Sequence, residues 1–189
     1  TADRPEQIEG SPRTPGFFKM EGLPMFLGRD FVPEEAQPGR DHVVILSNRV
    51  WNRNFAADHD IIGKNIRMNG QPYTVVGVLP PGMYDRLPMA LWVPLTFDQE
   101  QVVNHAAHMV LVMGRLRDGV SIEQAQAEMN GIAAQLQTEF PQTNADWGVS
   151  VEPLHLDFVD RATRRNLWLL LGAVGFLLLI ACVNVANLL

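Results

Sequence analysis

The residues that could do chemistry are few, and their spacing argues against most of it. His105 and His108 are spaced i, i+3 and would share a metal ion on one helical face, but the loop around them offers no third ligand, so they read as two loop histidines. Asp58-His59-Asp60 presents hard oxygen ligands, yet it lacks the alternating acidic pattern and the glycine of a calcium loop. It reads as a polar turn that closes a helix. Ser47 has no glycine elbow and stands where a helix cap is needed, which makes it a cap and not a nucleophile. Glu34-Glu35 reads as a solvated surface pair. The phosphate-cradling G-x-x-x-x-G-K-[ST], the nucleophile elbow G-x-S-x-G and the metal motifs H-E-x-x-H and C-x-x-C are all absent from the sequence. The residues therefore point to no catalytic group, no metal and no cofactor.

The end of the chain sets a different chemistry. Residues 167–189, LWLLLGAVGFLLLIACVNVANLL, carry no charged side chain. At about 1.5 Å per residue the run is roughly 34 Å long, against a hydrocarbon core of about 30 Å. A single segment satisfies its own backbone in lipid only as a helix, so a transmembrane helix is expected, with Trp168 near its start at the interface. Inside it Asn184 and Asn187 need polar partners, and the small residues Gly172, Gly175, Ala181 and Ala186 let another helix approach closely. These positions are the candidates for membrane-helix packing. Just before the run, Asp157, Asp160, Arg161, Arg164 and Arg165 lie in a segment with no glycine or proline. It reads as the start of the same helix, a stalk outside the bilayer.

Everything earlier is then a polar domain held at a membrane surface. Its charge narrows the partners. The net charge of −6 includes no basic block, which argues against nucleic acid and against docking of the domain onto anionic lipid. The one cysteine, Cys182, sits in the apolar run, so no disulfide forms within the chain. The sequence begins without Met and stops inside the apolar run, so a fragment of a larger membrane protein is expected.

Local signals place the elements of that domain. Residues 1–16 hold three prolines without periodicity and read as an irregular lead-in. Residues 17–31 read as a helical turn followed by an extended piece, and residues 33–41 as a surface loop. Residues 42–46 form a short buried strand; Ser47 caps a helix from Asn48 to about Ala56 whose apolar face is Val50, Trp51 and Phe55, with Leu46 stapled to Trp51. Residues 64–79 are a hairpin around Asn69-Gly70, with Pro72 at an edge or strand start and Pro80-Pro81-Gly82 as the stop. A further extended piece lies at 91–95. The spacing then predicts a strand–helix–strand unit: a strand over 109–116, a helix opened by the capping box Ser121-Ile122-Glu123-Gln124 and closed by Pro141, and a strand over 147–154. The predicted fold class is α+β, a mixed two-lobed extracytoplasmic domain (residues 17–156, lobes about 17–100 and 105–156) followed by the stalk and truncated transmembrane helix (157–189).

In their order along the chain, FLGRDFVPEE, LSNRVWNRNFAADHDIIGKNIRMNGQPYTVVGVLPPGM, GRLRDGVSIEQAQAEMNGIAAQL and LLGAVGFLLLIACVNVANLL resemble the periplasmic core domain and second membrane helix of permeases of MacB/FtsX-type ABC transporters. The likeness runs from Phe17 to Leu189. It implies a permease with four membrane helices and a large extracytoplasmic domain between the first two, in the inner (plasma) membrane. It implies as partners an ATP-binding subunit or fused domain not present here, a second permease copy, a periplasmic adaptor and membrane lipid. Members export macrolides, peptides or lipoproteins, or regulate cell-wall hydrolases, with ATP-driven motion passed through the stalk helices. The family supplies no catalytic residue to carry over, and ATPase activity is expected in the partner. The competing readings from the residues are a membrane-tethered interaction or ligand-binding module, and a membrane-anchored enzyme. Two further membrane helices beyond Leu189 would favour the permease.

Overall fold

The computed structural model describes residues 6–86, 88–107, 110–154 and 161–188. The chain divides into two compact units, Thr1–Val110 and Leu111–Leu189. The first is built on a six-stranded mixed sheet of β1 (Glu9–Arg13), β2 (Leu27–Gly28), β3 (Val43–Leu46), β4 (Asn65–Met68), β5 (Gln71–Val78) and β6 (Met89–Pro94), in the order β1-β6-β3-β5-β2 with β4 also on β5. β1 runs parallel to β6 and β3 parallel to β5; the β3–β6, β4–β5 and β2–β5 pairs are antiparallel. Helices α1 (Phe17–Met20), α2 (Asn48–Phe55) and α3 (Gln99–Val103) complete this unit. The class is α+β, as the sequence indicates.

The hairpin forms where Asn69-Gly70 places it. Both residues take positive φ, 51° and 82°, the requirement of a type I′ turn, and Met68 pairs with Gln71 across it. Pro72 stands second in β5, before the pairing with β3 begins at Thr74. α2 starts where Ser47 accepts from the Val50 amide at 3.2 Å. Its Val50 and Trp51 pack with Val44 and Leu46 of β3, Val75 and Val78 of β5, Ile61 and Ala90, with Phe55 at the margin. Each such large side chain contributes about 1.5–3 kcal/mol on full burial. Ile45 is one residue out of phase in β3 and lies opposite Trp92 of β6, so the pair faces the other side of the sheet. There Trp92 meets Phe18 and Tyr84 edge-on, at ring separations of 5.6 and 5.0 Å.

Residues 1–16 require a correction, because they contain β1. The carbonyl of Arg13 accepts from the Leu95 amide at 2.8 Å. Arg13 and Ser11 therefore turn toward β6, and Pro12 between them faces outward, where its missing N–H costs no ladder bond. A proline-rich segment without periodicity is also what an edge strand looks like.

The second unit holds α4 (Ile122–Glu139), α5 (Pro141–Asn144) and α6 (Arg161–Leu188). The capping box forms: Ser121 Oγ accepts from the Gln124 amide at 3.2 Å, and Gln124 Oε1 from the Ser121 amide at 2.9 Å. Pro141 ends α4 and opens α5. The two flanking strands expected at 109–116 and 147–154 are not strands among the described residues: neither segment joins a ladder. A strand exists only with a partner, and here the side chains of α4 take that place. Gln126 bonds Val149 and Val151, and Gln137 Nε2 donates to the Trp147 carbonyl at 2.8 Å.

Candidate functional site

The residues that fix the first unit are joined across long sequence distances. Two acceptors cap α2. Ser47 serves the Val50 amide, and Asp85, from the turn Met83–Arg86, accepts from the Arg49 amide at 2.8 Å and from the Gly82 amide at 3.0 Å. This places a carboxylate at the positive end of the helix dipole. Beside Asp85, the Tyr84 hydroxyl donates to the Glu21 carboxylate. Burial first, and then this bond, push the Tyr84 phenol well above its ordinary value. The loop after Pro80-Pro81 is thereby tied to α2 on one side and to the segment after α1 on the other.

Glu34-Glu35 is not a solvated pair. Glu35 is only 8% exposed. Arg29 grips its carboxylate with two parallel bonds, Nη1 to Oε2 at 3.0 Å and Nη2 to Oε1 at 2.6 Å, and the Val32 amide donates to it at 2.9 Å. Burial raises the Glu35 carboxyl, but the Arg29 bonds and the Val32 amide outweigh it and hold the group below the usual carboxylate range. The signal was present in the sequence. Pro33 at the first turn position and Glu35 at the third is the pattern of a side chain reaching back to the amide that precedes the turn.

Gly28 and Gly77 face each other across β2 and β5. A Cβ on Gly28 would lie 2.1 Å from the Val76 carbonyl oxygen, and one on Gly77 2.6 Å from that of Arg29. The two backbones approach because neither residue has a side chain, and the Arg29 amide bonds Val76 O at 2.9 Å. Arg29 leaves this contact aimed at Glu35. The other candidates fall as the residues suggest: Asp58 caps a short turn through the Asp60 amide at 2.9 Å and pairs with Lys64 at 2.6 Å. His105 lies in a turn after α3, and His108 is outside the described residues.

α6 is continuous from Arg161 to Leu188. Within it Arg165–Ala186 is 22 residues long with mean hydropathy 2.6, enough by length and composition to cross a membrane. No described residue of this window is buried within the chain. Arg161, Arg164 and Arg165 occupy its opening turns; Gly172 and Gly175, then Asn184 and Asn187, follow at i, i+3 spacing along it. Asp157 and Asp160 lie outside the described residues. A helix that begins in charged residues and runs unbroken into an apolar span can anchor a domain and carry displacement along its axis.

The profile of the MacB-like periplasmic core domain family matches residues 1–132. Solved structures similar to the chain include the periplasmic region of MacB from Actinobacillus actinomycetemcomitans, at 19% identity and TM-score 0.45, covering 69% of this chain and 56% of that one. The chain thus spans little more than half the length of that region. The extracellular domain of the noncanonic ABC-type transporter YknZ from Gram-positive bacteria is 19% identical with TM-score 0.47, over 73% of this chain and 67% of that one. A domain assigned to a permease protein from Porphyromonas gingivalis is 18% identical with TM-score 0.50, over 80% and 71%. No curated protein matches the chain. On the match to residues 1–132, which takes in the whole sheet and the first part of α4, the chain belongs to the family of the MacB-like periplasmic core domain.

Proposed function

We propose that the chain is part of a permease subunit of a MacB/FtsX-type ABC transporter. In this reading the chain up to residue 156, β1 included, forms the extracytoplasmic domain, and residues 157–189 the stalk and the start of a membrane helix in the inner (plasma) membrane. The domain performs no chemistry itself. An ATP-binding subunit or fused domain on the cytoplasmic side hydrolyses ATP, and its closure moves the outer domain through the stalk, for export or for activating an extracytoplasmic partner. A second permease copy, a periplasmic adaptor and lipid are the expected neighbours. Asn184 and Asn187, with Gly172 and Gly175, face protein and not lipid, because an amide in hydrocarbon needs a polar partner.

The observation that supports this reading is the unbroken helix Arg161–Leu188 in a chain of this family. A helix transmits axial displacement, whereas a flexible linker absorbs it. Sided labelling tests the arrangement. Cys182 is replaced by alanine, and a single cysteine is placed at exposed Gln101 in the full-length protein. A membrane-impermeant maleimide applied to intact spheroplasts labels Gln101→Cys fully if the domain lies outside. Labelling only after lysis would place the domain in the cytoplasm and end the proposal.

A further inference from the structure

The described start of α6 gathers positive charge at the edge of the apolar span. Arg161, Arg164, Arg165 and Trp168 follow at i, i+3, i+4 and i+7, so the helix carries all four positions on one face. Leu167, the first residue of the uncharged run, marks the edge of the hydrocarbon. At about 1.5 Å per residue, position 165 stands about 3 Å before it, position 164 about 4.5 Å and position 161 about 9 Å. The headgroup layer beside the hydrocarbon is about 5–8 Å deep, so positions 164 and 165 lie within it and position 161 at its outer rim. Trp168 is 68% exposed, and an indole favours this boundary.

Arg165 carries the charge that the chain leaves unanswered. It is exposed, and it forms no ion pair among the described residues. Its sequence neighbours at three and four positions are Arg161, Ala162, Trp168 and Leu169, with no carboxylate among them. Arg161 and Arg164 each have an aspartate four positions earlier, Asp157 and Asp160, which lie outside the described residues. Along the sequence the charges are layered, aspartates toward the domain and arginines toward the apolar run. Membrane helices usually keep their excess of arginine on the cytoplasmic side. In the orientation proposed above these arginines stand on the other side, where an anion held against them offsets their charge.

We propose that this face of α6 binds the phosphate of an anionic phospholipid in the leaflet on the domain's side. A guanidinium matches two phosphate oxygens with two parallel N–H bonds, which makes arginine the suited cation. A lipid is the source because these positions stand at the depth of its phosphate and continue directly into the apolar span. Gly172 and Gly175 follow on the same face, four and seven residues after Trp168, where another helix can approach closely. The headgroup then sits at the outer mouth of that seam, a place where basic positions between membrane helices hold anionic lipid. The inference rests on α6 crossing the membrane as proposed above, and not on transport.

Lipid photocrosslinking tests it. The full-length protein is reconstituted in phosphatidylcholine vesicles with a trace of either phosphatidylglycerol or phosphatidylcholine bearing a photoreactive headgroup, and crosslinks are mapped by mass spectrometry. Residues 161–168 are expected to capture phosphatidylglycerol in excess over phosphatidylcholine. Arg165→Gln should lower that excess about fivefold, the effect of one cation beside an anionic surface. Arg67→Gln, at an exposed site on β4, should leave it unchanged. Equal capture of the two lipids, or an excess that survives Arg165→Gln, would overturn the proposal and leave α6 in the membrane. Capture of neither lipid anywhere along residues 161–188 would overturn it together with the membrane reading. An excess abolished by added inorganic phosphate would overturn it too, by making the free ion the ligand.

Discussion

Replacing Gly28 by alanine tests the closest backbone approach in the first unit. The residue has φ +73°, and its new Cβ would sit 2.1 Å from Val76 O and 2.9 Å from Ile62 Cδ1. Two costs combine, and two other glycines separate them. Gly70 has φ +82° with nothing within 4 Å of a Cβ, so Gly70→Ala carries the conformational cost alone, about 1–2 kcal/mol. Gly77 has no left-handed φ, but its Cβ would meet Arg29 O at 2.6 Å and Ile45 Cγ1 at 3.3 Å, so Gly77→Ala carries the steric cost alone, about 1–3 kcal/mol. Gly28→Ala carries both against a backbone carbonyl that cannot rotate away, about 2–5 kcal/mol, a large share of a domain stability of about 5–15 kcal/mol. At roughly 4–8 °C per kcal/mol for a unit of this size, Gly70→Ala should lower the melting temperature by about 4–16 °C, and Gly28→Ala by about 8–40 °C and further than Gly70→Ala. The assay is a thermal melt of the chain in detergent, followed by fluorescence with Trp147 and Trp168 changed to phenylalanine. That leaves Trp51 and Trp92, both buried in the first unit, as reporters. A Gly28→Ala melt no lower than that of Gly70→Ala would mean that β2 does not pack on β5 as described.

Glu35→Gln should cost about 1–2 kcal/mol at neutral pH, since Arg29 is half exposed and the pair partly screened. Because the folded Glu35 carboxyl lies below its ordinary value of 4.5, its contribution is complete above that pH and lost as the pH falls through the folded value. Stability measured from pH 7 down to 3 should therefore drop less steeply in Glu35→Gln, and parallel curves would remove the Arg29–Glu35 account. Ser47→Ala and Asp85→Ala should each destabilise by about 1 kcal/mol through loss of an α2 cap, read as urea midpoints. No effect of Asp85→Ala would show that the Arg49 amide is served by water. Cysteines at Asn184 and Asn187 should be poorly labelled by a lipid-phase reagent in the assembled complex; strong labelling at both would show that they face lipid.

What the sequence shows well is whatever a few neighbouring residues decide. Asn69-Gly70 accepts positive φ without outside help, Ser47 and Ser121 cap helices from within one turn, and the apolar run at the end needs only length. What it hides depends on distant partners. Asp85 caps α2 from 36 residues away, and no local pattern marks it. The Gly28–Gly77 contact is a property of two strands together, invisible at either position alone. Pro12 hid β1 because proline signals a loop and an edge strand alike. Glu35 looked solvated because Glu34 beside it is, and only the register of the turn begun by Pro33 tells them apart. The strand expected over 147–154 rests on alternation, a signal of what a segment is suited to and not of whether a partner is there.

The central claim is that motion passes to the outer domain through the rigid start of α6. Thr163 lies inside that helix. The most direct measurement inserts Gly-Gly-Ser-Gly after Thr163 in the full-length protein, reconstituted with the ATP-binding subunit proposed for it. A fluorescent reporter is attached to a cysteine at exposed Gln135 of α4, with Cys182 replaced by alanine, and ATP turnover is followed in the same vesicles. Without the insertion, ATP should change the reporter signal. With it, turnover should continue while the ATP-dependent signal is lost, because a glycine-rich linker absorbs displacement. An undiminished signal in the inserted protein would contradict the stalk mechanism and leave the domain a tethered binding module.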